Sequence, residues 1–260
     1  MKTLAVILHH NTPQYTDVLY EMLALEQYVG GYELVVVDNG SSSDKTSKYT
    51  TYRLENNVFF GGGLNASMQM VMENDEYDSL LFLNSDLIVG KNFVGSLRDA
   101  WRSGLGFEVV SPCIIQPEKI QNHWLQMLPW GQSKTREVRW IDLQCPLISK
   151  KFIRHIHDTK TTENYIDSLL IRGWGIDMYF GIICETQGWK TGVCDNVPAV
   201  HLGSMTMKVL DNVNSYCRLA EQGMYEFFQK AQLTKEFIEM KQWGENYILE
   251  SNLRNICGNT

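Results

Sequence analysis

The run Leu80-Leu81-Phe82-Leu83-Asn84-Ser85-Asp86 constrains the fold more than any other stretch of the chain. Four consecutive large apolar residues leave no polar face before the run stops at a polar triplet. The segment therefore reads as a strand buried on both sides, as in a parallel sheet. Its carboxyl end carries Asp86 to the edge where open α/β sheets bind ligands. Leu34-Val35-Val36-Val37, followed by Asp38-Asn39-Gly40 and three serines, repeats the pattern. Two carboxylates, Asp38 and Asp86, are expected at one rim.

The surrounding sequence supports an alternation of strands and helices. Leu4 to Leu8 is a first strand, and Thr12-Pro13 predicts an N-cap and first helical position for a helix that ends at Gly30-Gly31. Tyr52-Arg53-Leu54 is a weaker strand. The segment Asn56 to Gly63 reads as a glycine-rich loop before a helix carrying Ala66, Met68, Val71 and Met72. Another helix carries Phe93, Leu97 and Trp101. Such alternation over the first hundred residues predicts a parallel sheet flanked by helices. Further on, Glu108 to Pro112 and Ile141-Asp142-Leu143 read as strands around a polar surface excursion, Gln116 to Glu137. Gly173-Trp174-Gly175-Ile176-Asp177 opens a helix through Ile183, and Lys190 to Val193 leads toward Ala199 to Gly203. The last fifty or so residues, with Phe227, Phe228, Phe237, Ile238 and Trp243, read as amphipathic helices.

With 260 residues, 44% of them hydrophobic, the chain is long enough for one large α/β domain with a helical appendage. The formal net charge of −7 argues against a general polyanion-coating protein. Six cysteines without a C-x-x-C pair fit neither a zinc site nor a disulfide framework, so reduced thiols in the cytoplasm are expected. The apolar start Leu4 to Leu8 is too short for a signal peptide. No run approaches the roughly 20 apolar residues of a membrane span.

Five motifs, in order, resemble glycosyltransferase family 2 and its relatives with the GT-A fold. They are Val35 to Asp44, Asn57 to Asn65 with its Gly61-Gly62-Gly63, Leu83 to Asp86, Gly173 to Asp177, and His201-Leu202-Gly203. The resemblance covers roughly residues 3 to 205. It implies a Rossmann-like, mostly parallel central sheet flanked by helices. The implied domain, 1–205, has a nucleotide-sugar-binding half at about 1–105 and an acceptor half at about 106–205. Residues 206–260 would be a helical C-terminal extension.

The resemblance also implies roles. A divalent cation, Mn²⁺ or Mg²⁺, would neutralise the diphosphate of a nucleoside-diphosphate sugar, UDP- or dTDP-linked, with Asp86 and His201 as ligands. The family's usual Asp-x-Asp is here Asn84-Ser85-Asp86, which leaves one carboxylate. His9, Asn11, Asp38, Asn39, Gly61, Gly62, Gly63 and Asn65, with Asn84 and Ser85, would frame the nucleotide. Asp177 would be the base that takes the acceptor proton in an inverting displacement, with Glu185 as the nearest competing carboxylate. Trp174 and Gly175 would meet the acceptor sugar.

A glycan or its precursor is the leading acceptor. A second reading is phage-type DNA modification on a hydroxymethylated pyrimidine, which would place the protein in a host cytoplasm. It draws on the basic stretch Lys150-Lys151-Phe152-Ile153-Arg154-His155 with Lys134, Arg136 and Arg139. A third is a non-catalytic sugar-nucleotide-binding protein, motivated by Asn84. The C-terminal helices leave homo-oligomerisation open. A nicotinamide enzyme is excluded, because His9-His10-Asn11-Thr12-Pro13 stands where G-x-G-x-x-G is required.

Overall fold

The computed structural model describes residues 1–26, 31–103, 105–115, 124–160, 162–203, 205, 208 and 212–257, with side chains as far as residue 247. The elements run β1 (Lys2–His9), α1 (Pro13–Ala24), β2 (Tyr32–Asn39), β3 (Tyr52–Leu54), α2 (Phe59–Glu73), β4 (Tyr77–Asn84), β5 (Leu87–Val89) and α3 (Phe93–Trp101). The second half adds β6 (Phe107–Ile115), β7 (Thr135–Val138), β8 (Leu147–Ser149), α4 (Lys150–Thr159), α5 (Ile176–Thr186), β9 (Lys190–His201), α6 (Val213–Lys230) and α7 (Thr234–Cys257). One sheet takes the order β3-β2-β1-β4-β8-β6-β9-β5, with β7 paired to β9.

Strand β4 sits near the middle, and Leu80, Leu81, Phe82 and Leu83 are each wholly buried, as the unbroken apolar run requires. Each such side chain contributes about 1.5–3 kcal/mol by leaving water. Strands β3, β2, β1 and β4 are parallel, with His9 opposite Asp38 and Leu8 opposite Asn84, so their carboxyl ends form one rim. The sheet is mixed beyond that point. Strand β8 runs antiparallel to both β4 and β6, and β5 and β7 run antiparallel to β9.

The structure departs from the sequence reading at several points. Ile141-Asp142-Leu143 is not a strand but an irregular connection leading into β8. Only one side of the ladder continues there: Phe82 N donates to Pro146 O at 2.9 Å and Asn84 N to Gln144 O at 3.0 Å. Pro146 has no N–H to return. The expected surface excursion holds at Gly131 to Lys134, which are exposed, and fails on either side of them. Gln126, Met127 and Arg136 are buried, and β7 joins the sheet; residues 116–123 lie outside the described residues. The first helix ends at Ala24 with Leu25 as its C-cap, short of the expected Gly30-Gly31; Gly30 lies outside the described residues.

The triple glycine is not a loop, because Gly61, Gly62 and Gly63 form the first turn of α2. A Cβ on Gly61 would meet the Ile171 backbone at 2.9 Å, and one on Gly63 would meet Leu8 Cδ1 at 2.4 Å. The glycines therefore let the helix lie close to its own protein.

The last two helices pack back onto the body. Phe227, Phe228, Phe237 and Met240 are buried, and Trp140 Nε1 donates to Met240 O at 3.0 Å. Arg136 and Asp195 form a buried ion pair at 2.9 Å beside them.

Candidate active site

At the rim, the first group of residues is tied together by hydrogen bonds. Asp38 is fully buried, and its Oδ1 accepts from Ser41 N at 2.8 Å. Arg53 approaches its Oδ2 at 3.4 Å and donates to Ser41 O at 2.5 Å. Asn11 N donates to Ser41 Oγ, and Asn11 Oδ1 accepts from Ser42 N, both at 2.9 Å. His9 is fully buried between Thr16 Oγ1 at 2.8 Å and Lys45 O at 2.9 Å, and burial holds its pKa below the usual imidazole value. Both ring nitrogens are thus engaged inside the protein. Asn39 pins the start of α2, accepting from Val58 N and donating to Asn57 Oδ1 and Phe59 O. Asn65 tethers α2 to Ile166, whose N–H it accepts at 2.7 Å. Among the sequence-predicted nucleotide residues, His9, Asp38, Asn39 and Asn65 therefore shape the rim through contacts within the protein.

Beyond β4 the chain turns at Ser85-Asp86. Thr12 is the N-cap residue of α1 and Pro13 its first position, as expected, but Thr12 Oγ1 meets Ser85 Oγ at 3.1 Å and makes no capping bond to the helix. Asn84 is half-buried and faces the same rim. Asp86 is 3% exposed and His201, at the end of β9, 5%. Pairing of Leu87 with His201 brings the two together, so that Asp86 Oδ1 lies 3.1 Å from His201 Nε2. Met205 N donates to Asp86 Oδ2 at 3.0 Å. Burial pushes the Asp86 carboxyl up, but His201 and the Met205 N–H outweigh it and hold the group below its ordinary value.

Both His201 ring nitrogens are buried without an aligned hydrogen bond. A buried imidazole with no well-aligned hydrogen bond, 3.1 Å from a carboxylate, fits a shared divalent cation, and this nitrogen and oxygen donor set suits Mn²⁺ better than Mg²⁺, which takes oxygen ligands. Among the described residues, no group of three or more His, Cys, Asp or Glu side chains is already gathered into a cation site. Asp86 and His201 stand as a pair.

Asp177 begins α5 behind two glycines in the left-handed region, Gly173 at φ 101° and Gly175 at φ 86°. A Cβ on Gly175 would strike Met224 Cγ at 2.7 Å. The turn exposes Trp174, 40% accessible, while Asp177 is turned in and half-buried. Burial first, and then the nearby Asp142, push the Asp177 carboxyl up to about 7. Burial likewise raises Asp142, against the pull of His201 and a 2.8 Å hydrogen bond from the Gln144 amide.

Asp142 is the residue that sequence reasoning missed. The signal was a lone acid inside the apolar stretch Trp140-Ile141-Asp142-Leu143, which the strand assignment had absorbed. No lysine or arginine is among the principal charges acting on Asp86, Asp142 or Asp177. His201 is the positive group that acts on Asp86 and Asp142.

Elsewhere the expected contacts are internal. Glu185, the competing carboxylate, is held by Arg139 at 2.6 and 2.8 Å. Most of the basic stretch is likewise neutralised: Lys150 pairs with Asp75, Lys151 with Glu108 and Arg136 with Asp195. Only Lys134 and Arg154 of that set are exposed without a charge partner among the described residues. No helix of the described residues is long and apolar enough to cross a membrane.

This arrangement belongs to a mixed α/β protein with a central sheet flanked by helices, similar to the GT-A glycosyltransferase fold. A crystal structure of GalNAc-T7 with UDP, GalNAc and Mn²⁺ superposes with a TM-score of 0.59 at 13% identity, over 98% of this chain and 57% of that one. The chain therefore spans little more than half the length of that relative. A crystal structure of A197 from STIV is also similar, with a TM-score of 0.46 at 16% identity, over 78% of this chain and 86% of that one. No family model matches the sequence, and no curated protein matches it.

Proposed function

We propose that the protein is a metal-dependent glycosyltransferase that moves a sugar from a nucleoside-diphosphate sugar to a hydroxyl acceptor. One observation carries the reading: a buried carboxylate and imidazole, 3.1 Å apart, share a rim with two further carboxyls, and no lysine or arginine is among the principal charges acting on those acids. Such a rim attracts a divalent cation together with an anionic ligand. Asp86 and His201 would hold Mn²⁺ or Mg²⁺, which supplies charge neutralisation for a departing diphosphate. The similar fold of GalNAc-T7, crystallised with UDP and Mn²⁺, supports a UDP-linked donor, with dTDP as the second choice.

Asp177 accepts the acceptor hydroxyl proton in this reading. A carboxylate with a pKa of about 7 loses its proton at neutral pH yet binds one far better than an ordinary aspartate. It receives the proton on an oxygen as the acceptor attacks the anomeric carbon opposite the leaving diphosphate, which inverts that centre. Trp174, exposed beside it on a rigid turn, offers an indole face to the acceptor sugar. A glycan acceptor fits this surface better than DNA, since most of the basic side chains proposed to meet phosphate are engaged by acids.

The test is a thermal-shift panel of nucleoside diphosphates with and without Mn²⁺, followed by assay of nucleoside-diphosphate release from the matching sugar nucleotide. A metal-dependent rise in midpoint for one nucleotide is expected. No rise with any of them refutes the reading, and binding without release reduces the protein to a sugar-nucleotide binder.

A further inference from the structure

We propose that Arg172, held between Phe59 and Tyr216, binds the diphosphate of the donor. The inference rests on the glycosyltransferase reading above and deepens it.

Arg172, at the start of the Gly173 turn, is half-buried, yet among the described residues no acid and no hydrogen-bond acceptor meets its guanidinium. The guanidinium carbon lies 4.8 Å from the centroid of the Phe59 ring. A ring covers the face of a guanidinium and leaves its five N–H donors, which point out in the plane, unspent. Partly desolvated charge of this kind is costly until an anion meets it. Nor is Arg172 committed to the carboxyls of the site, since it is not among the principal charges acting on Asp86, Asp142 or Asp177.

The backbone around Phe59 is built to place that ring. Phe59 has φ of 59°, a left-handed conformation that a bulky side chain rarely adopts. Strain of this kind persists where neighbouring bonds over-determine it, and it gathers at ligand sites. Asn39, at the carboxyl end of β2, donates to Phe59 O at 3.1 Å, while Phe59 N donates to Asn57 Oδ1 at 2.8 Å. Tyr216 sets its ring 5.9 Å from that of Phe59 and donates its hydroxyl to Arg172 O at 2.6 Å. Gly61 N donates to Ile171 O at 2.7 Å, which seats the chain before Arg172 on the first turn of α2.

Arg172 is thus fixed at the seam between the rim of the parallel strands and the turn that carries Trp174 and leads to Asp177. A donor with its nucleoside at the rim and its sugar toward Asp177 carries its diphosphate across that seam. The planar fork of an arginine matches two oxygens of a phosphate group.

Isothermal titration of the intact protein with UDP, dTDP, GDP, ADP and CDP, with Mn²⁺ present, identifies the nucleotide that binds. For that nucleotide, Arg172→Gln is expected to raise the dissociation constant at least tenfold, because a charge-assisted hydrogen bond is lost. Arg172→Lys keeps the charge without the fork and should recover part of the loss, whereas a merely structural defect would not be relieved by charge. Arg154→Gln, which removes an exposed arginine on α4, should change nothing. Nucleotide binding that Arg172→Gln leaves unaltered, or weakens no more than Arg154→Gln does, overturns the inference and spares the glycosyltransferase reading. Failure of all five nucleotides to bind the unaltered protein overturns both.

Discussion

Replacing Asp177 by asparagine keeps the side chain's shape and removes its charge, so it isolates what the buried carboxyl does to the protein. The acceptor oxygen that takes the Met178 N–H at 2.8 Å is retained. The native carboxyl titrates at about 7 against an ordinary 3.8, a difference worth up to about 4 kcal/mol. Because this pKa is raised, the native state keeps a proton that the unfolded chain loses from about pH 4 upward. Stability therefore falls between pH 4 and 7 and is level above that. Asparagine does not titrate, so the variant's advantage grows over the same interval and is greatest above pH 7. Asp142 shares the burden and relaxes only in part, which leaves about 2 kcal/mol at pH 8.5. That corresponds to a rise of roughly 4–8 °C in Tm for a chain of this size. Chemical denaturation at pH 4 and pH 8.5, with chelator present, measures it. A difference that is the same at both pH values, or a less stable variant at pH 8.5, refutes the reasoning. Turnover should vanish in the same variant while donor binding persists, and unaltered kcat/KM should climb as pH rises through about 7.

Three further outcomes are expected. Asp195→Ala leaves Arg136 charged and buried without its partner, and should lower unfolding free energy by about 3–5 kcal/mol in a urea titration. Gly61→Ala places a Cβ 2.9 Å from the Ile171 backbone and should cost about 1–3 kcal/mol, read as a lower denaturation midpoint. Trp174→Ala should raise the acceptor KM at unchanged nucleotide affinity, with a stability loss of about 0.5–3 kcal/mol because the residue is 40% exposed and the rest of its surface is covered.

The half of the fold set by local pattern was legible from residues alone. Leu80 to Leu83 announced a two-sided strand because nothing polar interrupts it, and the Gly173 and Gly175 turn announced α5 because only glycine tolerates φ near 100° and 86°. Strands β5 and β7 were missed because three or four residues at the margin of a sheet carry too short a period to see. Asp86 and His201 could be named from their motifs, but their 3.1 Å approach depends on β5 pairing with β9, a contact more than a hundred residues apart. Asp142 was hidden for the opposite reason. Its apolar neighbours face the core, so the stretch imitated a strand while its one acid turned toward the rim. The glycines of α2 misled in a third way, since close approach to Ile171 and Leu8 needs the same absent Cβ as close approach to a ligand.

The helix that carries Asp177 is wedged from behind by residues far downstream: Met224 and Phe228 fill the hollow under Gly175, and α7 covers Trp140. During synthesis the β1 to β4 layer is able to collapse as soon as it emerges, whereas the wall around Asp177 waits for the segment around 213–243 to arrive. On the proposed reading, a nascent chain acquires the rim that would hold the nucleotide before it acquires the wall that would hold the base. Trimming or tagging that segment should silence the chemistry without touching a single polar group at the rim.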